Sequence, residues 1–362
     1  MTADDATVSA RNAAEERVLR FGADFDEQWR KAAPAFEDRA SGSMREAFVQ
    51  WRALIAELVP RHFLDPDPRG LSQSFGNPPE YGPQVETLID SEVAGDVAHV
   101  RTTRSGALTR IHEYILQAQD EDWRIVAIED YNGDPAEPFV APESAEELRA
   151  ATSPEAPLTE LPEGERGLDH VHNFTPREVV RSAEGERETV ERSLIGTLVT
   201  STGVLTVLDA GYNNDRARPF AHTVTPGDYP VERVTVAGRN AAVRVLFSDE
   251  APVSWHPARL PDSGHVFGVD SGSACIVDYP AYAAQTRRDK AAVWRTFGAA
   301  ERPAAIEVPL PGGDRGIMVD SGTGDGSYPV YWGADNEGRV VQLVIDFMLL
   351  VYGDDDGVLR HR

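Results

Sequence analysis

Gly324-Asp325-Gly326-Ser327-Tyr328-Pro329-Val330-Tyr331-Trp332-Gly333 decides how the second half of this chain is read. Glycines next to an aspartate call for tight or left-handed backbone, and the aromatics call for burial. The stretch runs through Asn336-Glu337-Gly338 into the apolar segment Val340–Leu350. A turn, a strand, a second turn and a strand are expected, forming a corner of a compact β-domain.

Working back toward the N-terminus, the same strand signals recur. Glu191–Thr200 and Val204–Asp209 flank Ser201-Thr202-Gly203 and read as a hairpin. Val231–Val236 and Ala242–Phe247 flank Ala237-Gly238-Arg239-Asn240 and read as another. Further strands are expected near Val266–Val269, Ala274–Asp278 and Gly316–Asp320, with one amphipathic helix over Ala281–Phe297. The two copies of Val-Asp-Ser-Gly, at Val269–Gly272 and Val319–Gly322, are too short to establish a repeat.

The first half differs. Ala14, Val18, Phe21, Phe25 and Trp29 mark one helix face, with a break expected soon after Pro34. Phe48, Trp51, Leu54, Ile55 and Leu58 mark a second helix over about Met44–Arg61, capped by Ser41 or Ser43. Strands follow at Val85–Val93, Ala98–Thr103, Arg110–Ala118 and Trp123–Tyr131. Helices followed by an antiparallel meander make an α+β pattern. From Asp134 to about Glu165 the composition turns to Pro, Glu, Ala and Ser, which reads as a semi-rigid linker with room for a short helix over Ser144–Ala151. The expected division is residues 1–140, a linker over 141–165, and a β-rich domain over 166–362.

The chain has 362 residues and a formal net charge of -25. Nucleic-acid phosphates and anionic membranes are therefore disfavoured partners, and a basic protein is a favoured one; the charge also serves solubility. Cys275 is the single cysteine, which rules out an intramolecular disulfide and a cysteine zinc cluster. It sits in an apolar strand and reads as a small buried hydrophobe. The opening residues lack a basic and apolar leader pattern, and no apolar run approaches a membrane span; a cytoplasmic protein is expected.

Two resemblances rest on these residues. The stretch from Asn12 to Phe139 resembles the nuclear-transport-factor-2-like fold in its bacterial immunity-protein branch. The resemblance is carried by the Phe48/Trp51 helix, Ser74-Phe75-Gly76-Asn77-Pro78-Pro79-Glu80-Tyr81, His99–Thr102, His112-Glu113-Tyr114 and Trp123–Ile125. It implies cone-like helices capped by a curved antiparallel sheet, and a role as immunity component of a polymorphic toxin system. The stretch from Gly196 to Leu350 resembles the bacterial domain of unknown function 4241. It carries Pro219-Phe220, Pro226–Val231, Val245–Asp249, Pro252–Trp255, Val269–Gly272 and Gly324–Gly333. That resemblance implies a mostly β domain and no known activity, and neither family brings catalytic residues to carry over.

Chemistry-bearing residues fall into three groups. Asp270, Asp278, Asp325 and Asp346 lie at strand ends or turns, where convergence would build a hard-cation site and local bonding would merely cap turns. His170 and His172 share a face of an extended segment but lack nearby third and fourth ligands. A cone pocket would hold His112, Glu113, Tyr114, Asp130 and Tyr131, with His112 and Asp130 on adjacent strands as an acid–base pair. Asn77, Glu80 and Tyr81 sit in a loop stiffened by Pro78-Pro79, suited either to touching a protein partner or to ordering the helix–sheet connection.

The expectation is a non-catalytic protein-binding chain without cofactor, an immunity protein whose partner is a cognate basic toxin. The alternative is a ligand-binding protein or enzyme using the cone pocket or an aspartate-lined metal site. Oligomeric state is not legible.

Overall fold

The computed structural model describes residues 3–37, 44–104, 110–120, 122–138, 140–180, 187–211, 217–260, 264–298 and 305–362. The chain forms two compact units, Met1–Glu137 and Pro138–Arg362. The architecture is α+β with a mostly β C-terminal part.

In the first unit, α1 (Ala3–Glu37), α2 (Met44–Ala56) and α3 (Val59–His62) precede β1 (Glu86–Ala94), β2 (Val97–Arg104), β3 (Arg110–Gln119) and β4 (Asp122–Tyr131). The strands form a curved antiparallel sheet in sequential order. The expected apolar stripe is the buried face of α1: Ala14, Val18, Phe21 and Phe25 are buried, together with Trp51 and Ile55 of α2. Fully burying each large side chain is worth about 1.5–3 kcal/mol, enough to hold helices of modest propensity on the sheet. Pro34 does not end α1 as expected, because it falls in the last described turn, where few backbone bonds remain to be lost. The expected caps Ser41 and Ser43 lie outside the described residues.

The loop between α3 and β1 is tied down. Trp29 Nε1 donates to Gly76 O at 2.7 Å and Trp51 Nε1 to Gln73 O at 3.1 Å, while Phe75 stacks on Phe36. Gly70 is left-handed, with φ of 80° and its Cβ position only 1.7 Å from Ile128 O; only glycine lets the loop lie against β4 there.

The second unit begins with α4 (Pro142–Ala150), β5 (Arg177–Val180), β6 (Arg187–Thr200) and β7 (Leu205–Asp209). It continues with β8 (Gly227–Val236), β9 (Arg239–Leu246), β10 (Ser254–Pro257), β11 (Val266–Val269) and β12 (Ser273–Asp278). After α5 (Tyr279–Ala283) and α6 (Arg287–Gly298) come β13 (Ala305–Pro309), β14 (Arg315–Asp320), β15 (Gly326–Ala334), β16 (Val340–Asp346), β17 (Val351–Gly353) and β18 (Leu359–His361). The Pro-rich stretch 141–165, expected between domains, lies within this unit, with α4 against α5. The single helix expected over Ala281–Phe297 is two helices, broken at Ala284–Thr286.

The main sheet runs β10-β15-β16-β9-β8-β6-β14-β12-β7, with β11 also on the edge of β15, and is nearly closed like a barrel. The opening stretch behaves as read: β15 and β16 pair through the Asp335–Arg339 turn, with Val330 opposite Ile345 and Trp332 opposite Leu343. The β8–β9 hairpin is also present, turning at Ala237 and Gly238 with φ of 51° and 72°. The expected β6–β7 hairpin is not: β6 pairs with β8 and β14, while β7 pairs with β12. The reason is a chain reversal held by side chains. The Asp278 carboxylate accepts from Thr200 Oγ1 at 2.5 Å and from Thr202 N at 3.1 Å, steering β7 away from β6.

Period-two alternation sorts the strand residues. Leu343 and Ile345 of β16, Val243 and Val245 of β9, Ile276 of β12 and Trp332 of β15 fill the inside. The alternate residues Cys275, Val277 and Met318 face α5 and α6. Val344 and Tyr331 face a cover made by the segment around Leu161–Phe174 and the residues near Leu350. Both faces of the central strands are buried, so those strands read as continuous apolar runs.

Candidate functional site

In the first unit the ionisable residues gather around Glu86, at the start of β1. Its Oε1 accepts from Thr102 Oγ1 at 2.6 Å and Tyr114 OH at 2.8 Å, and lies 2.9 Å from His112 Nδ1; its Oε2 accepts from Gly82 N at 2.9 Å. His112 Nε2 lies 3.6 Å from Glu80 Oε1. Burial disfavours a charged imidazole, yet the two carboxylates outweigh it and push His112 up to about 9. Bonding to His112 in turn holds Glu80 below the ordinary carboxylate range, against its burial.

This cluster is not an open pocket. Tyr81 is buried between Phe25, 4.9 Å away, and Phe21, 5.4 Å away, and its ring lies 5.2 Å from that of His112. Aromatic side chains fill the space in which a cone pocket was expected. The expected His112–Asp130 pair is cross-strand in register, but the imidazole turns to Glu86 and Glu80, and Asp130 pairs with Arg110 at 3.1 Å. Glu113 points to the other face, 3.4 Å from His99 Nδ1.

Tyr81 is also corrected as a partner-contacting residue. Its hydroxyl donates to Gly70 O at 2.9 Å and accepts from Ser72 N at 3.1 Å, so it orders the loop from inside. Asn77 is exposed, and Glu80 is half-buried near Arg104 at 3.7 Å.

The four aspartates of the second unit do not converge. Asp270 and Asp325 are exposed at turns. Asp278 caps α5 by accepting from Ala281 N at 3.1 Å while its other oxygen holds the Thr200–Thr202 reversal. Asp346 is fully buried and accepts from Met348 N at 2.7 Å and Asn173 Nδ2 at 2.8 Å. Among the described residues no group of histidines, cysteines and carboxylates is arranged to hold a metal ion.

His170 and His172 part company. His170 is fully buried: it stacks on Tyr331 at 4.0 Å and its Nδ1 lies 3.2 Å from Asp346 Oδ2, without hydrogen-bond geometry. Burial alone would raise the Asp346 carboxyl, but His170, Met348 and Asn173 hold it below its ordinary range. Glu165 extends the layer, accepting from Tyr331 OH at 3.0 Å and lying 3.0 Å from His265 Nε2. Cys275 is buried as expected, and desolvation pushes its thiol up to about 12, far from a reactive thiolate.

A concavity missed in the sequence opens at one mouth of the barrel. It has a volume of about 820 Å³ and is lined in part by His222, Tyr229, Phe247, Glu250, Asp335 and Arg339. Tyr229 meets Phe247 edge-on at 4.9 Å, and Phe247 lies 6.1 Å from Trp332, so the aromatic wall continues into the barrel core. His222 Nδ1 lies 3.0 Å from Ala156 O and serves as donor there, leaving Nε2 as acceptor. Arg339 is spent on carboxylates, 2.8 Å from Asp335 and 3.0 Å from Glu337. The lining residues come from separate segments of the chain, and each reads alone as an ordinary turn or strand residue.

Among the described residues no helix is long and apolar enough to cross a membrane. No curated protein and no solved structure matches the chain. Residues 198–345, from within β6 to the penultimate residue of β16, match the family model described as Protein of unknown function (DUF4241).

Proposed function

We propose that this chain acts by binding a protein rather than by catalysing a reaction, and that its partner is basic. The observation that carries the reading is the disposition of charge. Many surface cations are drawn into local ion pairs, such as Arg20 with Glu16, Lys31 with Glu27 and Arg149 with Glu146. The carboxylates in excess, which make the net charge -25, remain to face solvent or a partner. Such a surface accelerates encounter with a cationic protein and rejects anionic ones.

The ionisable groups that would otherwise favour chemistry are engaged internally: His112 with Glu86, Asp278 with the Thr200–Thr202 reversal, Asp346 with Asn173. Together with the immunity-type resemblance of residues 12–139, this makes a basic toxin of a polymorphic toxin system the proposed partner. Capture by the tagged chain from a lysate of its native cells, at low and moderate salt, tests the reading. One stoichiometric basic protein, lost at higher salt and toxic alone, is the expected result; capture of acidic or neutral proteins only would overturn it.

A second reading, a small-ligand binder, is favoured by the barrel-mouth concavity. Its test is thermal melting against ligand classes, since a specific ligand at ~100 times its dissociation constant stabilises by ~2.7 kcal/mol.

A further inference from the structure

We propose that the barrel mouth is the seat for an arginine-bearing segment of the basic partner, an inference that rests on the protein-binding reading. The argument begins with what the cavity offers. Its wall is aromatic at Tyr229 and Phe247, and it offers acceptors in the exposed carboxylate of Glu250 and in Nε2 of His222, whose Nδ1 donates to Ala156 O. Guanidinium is planar, carries donors only, and stacks on aromatic faces, so it matches this lining better than an anion or a neutral acceptor does.

The guanidinium of Arg339, in the lining, does not repel such a guest. Arg339 is neutralised by Asp335 and Glu337, and Glu250 adds a further negative charge beside it. A volume of about 820 Å³ falls in the range of pockets that enclose a ligand, and accommodates an arginine side chain with adjoining backbone. The mouth is framed by strand ends held in the barrel, with Phe247 N donating to Val341 O at 2.9 Å, so the aromatic wall is preorganised.

The test uses the full chain and two readouts. A labelled arginine-rich peptide and its lysine and glutamate counterparts are titrated against the wild type, Phe247→Ala, Glu250→Lys and the control Asp355→Lys. Asp355 is exposed in the β17–β18 hairpin, away from the lining, and reports nonspecific attraction to an acidic surface. The expected result is binding in the order arginine, lysine, glutamate, with a loss of about tenfold in Glu250→Lys and Phe247→Ala and less than about twofold in Asp355→Lys. Equal losses in all three variants, or no preference for arginine over lysine, would overturn the proposal. Glu250→Lys alters an exposed side chain and keeps the test valid if Phe247→Ala fails to fold. The second readout is capture of the native partner: retention by Glu250→Lys as strong as by the wild type overturns this site while leaving the protein-binding reading intact. Peptide binding at the mouth with no basic partner captured overturns that reading and leaves the arginine site standing.

Discussion

Glu86 and His112 meet at 2.9 Å inside the first unit, a carboxylate and an imidazole enclosed by aromatic rings. Glu86 also accepts from Thr102, Tyr114 and Gly82, so one side chain satisfies four donors from separate parts of the unit. Replacing Glu86 with Gln removes the charge and turns one acceptor into a donor facing donors. A loss of about 2–3 kcal/mol is expected, read from the denaturation midpoint of the first unit's transition. An unchanged midpoint would show that water or rearrangement serves those donors equally well.

His112 gives this unit a pH signature. Its folded-state value, raised to about 9, exceeds the ordinary 6.5 of an unfolded histidine, so the folded state binds the proton more tightly. The stabilisation is therefore complete below about pH 6.5 and disappears as pH rises through about 9. The slope should vanish in His112→Asn. An imidazole titrating near 6.5 by NMR would contradict the enclosed ion pair.

The second unit should respond at the acid side. Burial, aided by the neighbouring His170, drives His361 down to about 4, below its unfolded value. Its neutral form is favoured in the fold, so stability falls as pH drops from about 6.5 toward 4. Asp346→Ala, which strips Asn173 and Met348 N of their acceptor and His170 of its neighbouring carboxylate, should cost about 3 kcal/mol and shift the acid transition upward in pH. Urea titrations at several pH values measure both effects.

Gly203 sits at φ of 73° with its Cβ position 1.9 Å from Val224 O. Gly203→Ala combines left-handed strain with a backbone clash, and a loss of at least about 2 kcal/mol is expected. Gly238, at φ of 72° but with open space around it, provides the comparison: Gly238→Ala should lose only about 1 kcal/mol. Similar melting temperatures for the two variants would contradict the close approach at Gly203.

Much of the fold was legible because it rests on periodicity. The α1 stripe, the four strands of the first sheet and the β15–β16 corner follow from apolar spacing and glycine turns, which act locally. The β6–β7 connection misled because Ser201-Thr202-Gly203 has hairpin composition, while the partner that redirects it, Asp278, lies far along the chain. Site residues were harder. Tyr81 and His170 have chemistry that suits a surface or a ligand set, but burial is decided by tertiary neighbours such as Phe25 and Tyr331. Glu86 carries no motif at all; only the fold shows that Thr102, His112 and Tyr114 turn toward it.

The barrel closes by a different means at one place. Asp209, at the end of β7, accepts from Asp270 N at 2.5 Å and Ser271 N at 3.0 Å, just past β11, and among the described residues no backbone ladder joins those two strands. The nearly closed sheet therefore has a seam fastened without a ladder, by the Asp209 carboxylate, by Gly211 N donating to Ser271 Oγ at 3.1 Å, and by a bridging segment whose Phe220 N donates to Leu205 O and Ala221 N to Arg259 O. Among the described residues, the other neighbouring strands of the sheet part only by breaking ladder bonds, whereas this seam is held by isolated bonds, most of them to side chains. Slow stretching or thermal breathing would begin there, and the apolar interior would first meet water through that slit.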